Sequence, residues 1–224
     1  MSDFIFLDIS SYSQGLVSLI IGIICLKNYA NRPDYIKVLG FYGLNSFVFQ
    51  LSQESTILFF QNHYLNEIGN VYVLSECIIL SFLFYFVIPV KTFRKAILFL
   101  ILLYIFVYIL AFLIFHKSAP AIIRSTRDLL IVIFCISYFF YLLRDLPEDD
   151  LMQVPMFWIN SAILVFFSGT FILSYFREYI IVMIGDGIAD YWTFRNFFRF
   201  AFCLVLVYAG WLNLKSIRAT QRLN

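Results

Sequence analysis

From 96 to 115 the chain reads AILFLILLYIFVYILAFLIF, without a charge or an amide side chain. In hydrocarbon such a run must satisfy every backbone N–H and C=O internally, which a single segment can do only as an α-helix. The feature recurs along the chain. Segments that approach the ~20 residues a bilayer demands lie at about 9–26, 35–60, 68–90, 96–115, 121–143, 154–175 and 190–214. Composition agrees, because only 13% of the residues are charged, against roughly 25% in a soluble domain. The expected fold is an all-α integral membrane protein, with a single transmembrane domain over 1–224 built as a seven-helix bundle. The bilayer is its first partner. The net charge of +2 names no other, and no nucleic acid is expected.

Orientation follows from the basic residues. The N-terminus, MSDFIFLDISS, has Asp3 and Asp8 where a signal peptide would place Lys or Arg, so the first segment is expected to be retained. With the N-terminus outside, the cytoplasmic segments hold Lys27, Arg32, Lys37, Lys91, Arg94, Lys95, Arg144, Lys215, Arg218 and Arg222. The outer loops hold only Lys117 and Arg177. That asymmetry predicts an outside N-terminus and a cytoplasmic C-terminus. Dropping the first two segments as a pair leaves this parity unchanged. An abundance of Phe, Ile, Tyr and Asn hints at an AT-rich bacterial genome, and the expected location is a bacterial inner membrane.

The remaining basic residues are the informative ones. Arg195 and Arg199 sit one helical turn apart inside the last segment, and Arg124 and Arg127 sit inside the fifth. A charge within a span costs about 2.5–3.5 kcal/mol on insertion scales, so such groups normally face a partner or a cavity. The third, fifth and seventh segments all start outside, which puts Glu76 and the four arginines roughly 5–14 Å deep at 1.5 Å per residue. The second segment runs outward and brings Gln50, Gln53 and Glu54 to the same level. Ser46, Gln50 and Glu54 share a helical face, as do Tyr72 with Glu76, and Arg124 with Arg127 and Asp128.

Two arrangements satisfy these charges. In one, Glu54, Glu76 and Asp128 pair with the arginines and hold the helices together. In the other, Gln50, Glu54, Tyr72, Glu76, Arg124, Arg127, Asp128, Arg195 and Arg199 line an outward-facing ligand pocket. Four arginines against three carboxylates leave one positive charge over, which suits a carboxylate, phosphate or other anionic head. The two are compatible, since a pocket can be closed by its own ion pairs.

Enzymatic chemistry finds no support. His63 and His116 stand at helix ends, where they cannot sandwich a haem within the span, and no metal or other cofactor is expected. The last span has no lysine before Lys215 for a retinal Schiff base. SGT at 168–170 lacks the flanking glycine of a rhomboid-type nucleophile, GDG at 185–187 falls in a loop, and there is no H-E-x-x-H or P-loop. Cys25, Cys77, Cys135 and Cys203 are spread over different segments with no C-x-x-C spacing, as buried unpaired thiols would be. Small and polar residues on one side of the sixth span (Asn160, Ser161, Ser168, Gly169, Thr170) predict close helix packing. Trp158, Trp192 and Trp211 fall near span ends, as interfacial anchors do. Glu148, Asp149, Asp150 and the basic tail are the two cytoplasmic features a soluble partner could grip.

The seven-span layout, with Glu76 in the third span and PMFWINSAILVFFSGTFILSYF as the sixth, resembles bacterial seven-helix sensory modules that stand alone or precede a histidine kinase domain. The resemblance implies a membrane sensory or signalling protein. No kinase domain is expected after Asn224, so the expected output passes to a separate cytoplasmic signalling protein. A small transporter or channel-like protein, or a structural subunit of a membrane complex, remains the alternative.

Overall fold

The computed structural model describes residues 2–60, 65–115, 121–145, 151–176 and 188–223. His63, His116, Lys117, Glu148, Asp149, Asp150, Arg177 and the GDG at 185–187 lie outside the described residues, as do the side chains of Asp3, Asp8, Trp192, Arg218 and Arg222. The described residues form seven α-helices and no strand. They are α1 (Ser2–Leu26), α2 (Asp34–Phe60), α3 (Leu65–Val87), α4 (Lys91–Phe115), α5 (Ala121–Asp145), α6 (Pro155–Tyr175) and α7 (Ile188–Leu223). Five of them, α3 to α7, are long and apolar enough to cross a membrane, as a multi-pass membrane protein requires. Among the described residues α1 offers a shorter apolar stretch, Tyr12–Leu26. α2 has the length but is diluted by Asn45, Ser46, Gln50, Ser52, Gln53 and Glu54.

Helix ends differ from the sequence expectation where charged residues were assigned to loops. α4 begins at Lys91, so KTFRK is its first turn and not a connection. There Arg94 Nε reaches back to the Ile88 carbonyl at 2.7 Å, satisfying an acceptor left open where α3 stops before Pro89. α7 continues through the basic tail to Leu223. Its 36 residues measure about 54 Å, well beyond a hydrocarbon core of about 30 Å. α6 opens with Pro155 in its first turn, where a missing N–H costs nothing.

Packing orders the helices as a ring: α1 on α2, α2 on α3, α3 on α5, α5 on α6, α6 on α7 and α7 back on α1. α4 packs outside the ring against α3 and α5. Only 28% of its apolar stretch is buried, against 44–50% for α3, α5, α6 and α7. α1 and α2 approach backbone to backbone, because a Cβ on Gly43 would lie 2.7 Å from both the Gly22 nitrogen and the Ser18 carbonyl. On its other side α1 runs parallel to α7, with Ser18 beside Cys203 and Cys25 against Gly210.

Arg32, counted among the basic residues of the cytoplasmic segments, is buried. The α1–α2 connection turns on Asn28 in the left-handed region, which folds Arg32 back against the end of α1. It donates to the carbonyls of Ile24 at 2.8 Å and Lys27 at 3.0 Å, and also to Asn213 Oδ1 on α7. Open carbonyls at the end of a helix are good partners for a cation, and this one ties α1 to α7 as well. The four cysteines are buried and unpaired.

Candidate functional site

The ring encloses a cluster of ionised groups centred on Glu76. This residue stands midway along α3, about 16 Å from either end at 1.5 Å per residue. That is deeper than a count from residue 68 suggests, because α3 starts at Leu65. Glu76, Arg127 and Asp128 are 2%, 3% and 0% exposed. Buried charges are tolerated only when paired and hydrogen-bonded, and each of these is.

Arg127 Nη1 donates to Glu76 Oε2 at 2.6 Å. Its Nη2 and Nε both donate to Asp128 Oδ1, at 2.5 and 2.8 Å. The guanidinium also lies 5.4 Å from the ring centre of Phe167 on α6, a cation–π contact strengthened by the absence of water. One arginine thereby joins α3, α5 and α6.

The other carboxylate oxygen, Glu76 Oε1, accepts from two phenols, Tyr42 on α2 at 3.0 Å and Tyr72 on its own helix at 2.8 Å. Tyr72 has one hydroxyl proton and spends it there, so Ser46 on α2 must be the donor in its 3.1 Å contact with Tyr72. Arg199 Nη2 on α7 also donates to the Tyr72 oxygen. Its guanidinium lies 4.8 Å from the Tyr72 ring centre and 3.8 Å from Glu76 Oε1. Phe49 stacks on Tyr72 with ring centres 4.0 Å apart, fixing the ring that orients all of these groups.

The two arginines are unlike. Arg127 makes charge-assisted hydrogen bonds to two carboxylates. Arg199 has a neutral phenol as its hydrogen-bond partner, with its nearest carboxylate beyond hydrogen-bond length. Two polar atoms in the cluster, Arg199 Nε and Asp128 Oδ2, are buried without a hydrogen-bond partner. Such atoms are rare, because each forfeits its hydration with no return.

The remaining predicted residues lie around this centre. Arg195, one turn earlier on α7, is half-buried, and its charge acts on both Glu76 and Asp128. Gln50 donates to Glu54 at 3.1 Å along α2. Arg124 Nη2 donates to Asn70 Oδ1 on α3 at 3.2 Å. The structure thus brings Tyr72, Glu76, Arg127, Asp128 and Arg199 into one network, with Arg195 in electrostatic range. Beside this network Arg124 bonds Asn70, and Gln50 bonds Glu54. Burial grades along the axis, with Arg124, Arg195 and Glu54 half-buried and the central groups closed off.

Tyr42 and Asn70 were not among the sequence candidates. A signal for Tyr42 existed, since 42, 46, 50 and 54 repeat at four residues and continue one face of α2. Among 15 tyrosines nothing marked that one until its partner was known.

No protein-family model, curated protein or solved structure matches the chain.

Proposed function

We propose that the chain is a seven-helix sensory protein of a bacterial inner membrane, with its N-terminus outside and its C-terminus cytoplasmic. In this reading it binds a small anionic ligand in the polar core of the ring and acts through a separate cytoplasmic protein. The ligand enters from the end where α3, α5 and α7 start, past the half-buried Arg124, Arg195 and Glu54. One observation carries the reading: Arg199 hydrogen-bonds a phenol and stands 3.8 Å from Glu76, while the carboxylate hydrogen bonds to arginine in the cluster run to Arg127. A carboxylate or phosphate reaching Arg199 gains a charge-assisted bond without desolvating a free cation. It also competes with Tyr72 for that guanidinium, and Tyr72 in turn holds Glu76. Ligand binding would therefore be felt on α2, α3 and α7 together. A transport reading has less support, because transporter sites are usually built on interrupted helices, and α3, α5 and α7 run unbroken through the network.

The test is thermal stabilisation of the detergent-solubilised protein by a panel of small carboxylates and phosphates. A ligand at about 100 times its Kd adds about 2.7 kcal/mol of stability. One chemical class is expected to raise the unfolding temperature of the wild type and to leave Arg199→Gln unmoved. A wild type indifferent to every anion, or an Arg199→Gln that responds equally, defeats the reading.

A further inference from the structure

On the lipid side of the ring, between α4 and α5, lies a cleft of about 170 Å³. Leu103, Tyr104 and Val107 form one wall, and Ile123, Thr126 and Leu130 the other. Its rim on α4 is open, since Leu103 and Val107 are exposed. An apolar cavity of about 150 Å³ holds a benzene ring, so this one has room for part of a single hydrocarbon chain.

The lining is apolar apart from Tyr104 and Thr126, and further polar groups stand beyond one end of the cleft. At the end formed by Val107 and Ile123, polar groups collect where α3, α4 and α5 meet. Tyr108 donates to the Asn70 carbonyl at 2.8 Å, and Arg124 donates to the Asn70 side-chain oxygen at 3.2 Å. Asn70 is 3% exposed, and its Nδ2 is buried with no hydrogen-bond partner. A buried amide donor left in that state points to an acceptor that arrives from elsewhere. The opposite end, at Leu130, is apolar and about 9 Å further along α5 than Arg124. Arg124 stands within a turn of the start of α5 and Leu130 more than two turns in. The polar end of the cleft therefore lies toward the helix terminus and the apolar end toward the bilayer middle. A single-chain amphiphile in one leaflet has the same polarity.

We propose that this cleft is a binding site for a long-chain carboxylate from the membrane, with the chain between α4 and α5 and the carboxylate at Arg124 and Asn70 Nδ2. Guanidinium and amide together supply N–H donors to a carboxylate, and the apolar walls exclude the water that would compete. The site lies on the face of α5 next to the one that carries Arg127 and Asp128. It requires only that α4 and α5 cross a bilayer, so it stands or falls apart from the sensory reading.

The experiment uses the full chain in nanodiscs of zwitterionic phosphatidylcholine, with palmitate bearing a photoactivatable diazirine in its chain and the labelled positions mapped by mass spectrometry. Label is expected on 100–107 and 123–130, competed by unlabelled palmitate and not by hexadecanol, which lacks the charge. Leu103→Trp fills the cleft from an exposed position and should lower labelling roughly tenfold or more, whereas Leu102→Trp, on the outer side of α4, should leave it unchanged. Arg124→Gln should weaken competition by palmitate by about tenfold, the loss expected of one charge-assisted hydrogen bond. Label spread evenly over the lipid-facing helices, or insensitive to Leu103→Trp, overturns the site. Equal competition by hexadecanol overturns the carboxylate. That comparison uses wild-type protein, so it does not depend on whether Arg124→Gln folds.

Discussion

Arg127 is the residue on which the buried network turns, because Glu76 and Asp128 both accept hydrogen bonds from it. Removing it leaves two carboxylates inside the ring, with Arg199 3.8 Å from one of them. Breaking a buried pair on one side typically costs about 3–5 kcal/mol, since the partner's charge stays behind. Arg127→Gln is therefore expected to unfold at markedly lower temperature in mild detergent. Glu76→Gln removes a charge from the same cluster with a different outcome. Arg127 keeps its two bonds to Asp128, and a glutamine oxygen still accepts from Tyr42 and Tyr72, while the amide NH2 replaces the oxygen that accepted from Arg127 Nη1. Its expected loss is about 1–2 kcal/mol, the scale of weakened hydrogen bonds, with a folded protein whose proposed ligand response is lost. Equal losses for the two variants in the same melts would make Glu76 a scaffold residue and remove it from the signalling reading.

Among the elements, the α1–α2 pair depends on glycine, and α7 on its ties at several levels. Gly43 presses on the α1 backbone, which cannot step aside like the tip of a side chain. Gly43→Ala should cost about 1–3 kcal/mol, the usual range for overpacking. Gly69→Ala is the matched control, because a Cβ there meets nothing within 4 Å. It should be neutral or slightly stabilising, as alanine favours a helix over glycine. Parallel losses at both positions would show that helix propensity decides and not the close approach. α7 contacts α1 at Cys203 and Gly210 and receives Arg32 at Asn213. It also carries Arg199, so the network and the Arg32 clamp sit on one continuous helix, about 21 Å apart at 1.5 Å per residue.

For the molecule as a whole, these contacts decide how α1 and α2 stand beside the five long apolar helices. α1 lies along α7 from Ser18 to the Arg32 turn, and α2 faces α3 through Tyr42–Glu76, Asn45–Ser75 and Ser46–Tyr72. Both are level with helices that have spanning length, which supports seven crossings in the proposed topology. The α1–α2 turn would then be cytoplasmic. Tyr29 is 51% exposed in that turn, so Tyr29→Cys in a background without the four native cysteines reports the side directly. An impermeant maleimide added to intact cells is expected to miss it and to label it once the inner membrane is opened. Labelling in intact cells would place the turn outside and leave five crossings.

Much of this architecture was legible in the order of residues. Apolar runs at 68–90, 96–115, 121–143, 154–175 and 190–214 became helices because hydrocarbon leaves a single chain segment no other way to satisfy its backbone. Their ends moved by a few residues wherever Lys or Arg extended a helix beyond the apolar run, as at Lys91 and beyond Leu214. Arginines and carboxylates in those runs also announced that separate helices must meet around them, since lipid does not solvate a charge. The sequence did not carry the pairing. Nothing in the spacing says that Glu76 goes to Arg127 while Arg199 goes to Tyr72, or that Tyr42 completes the set. Nor did it carry the ring order with α4 left outside. Inside a membrane an apolar face gains little by meeting protein in place of lipid, so hydrophobicity marks a helix without marking its neighbours. Only close packing, such as Gly43 on Gly22, and buried polar partners, such as Arg127 between Glu76 and Asp128, separate one arrangement from another. Both belong to the folded bundle.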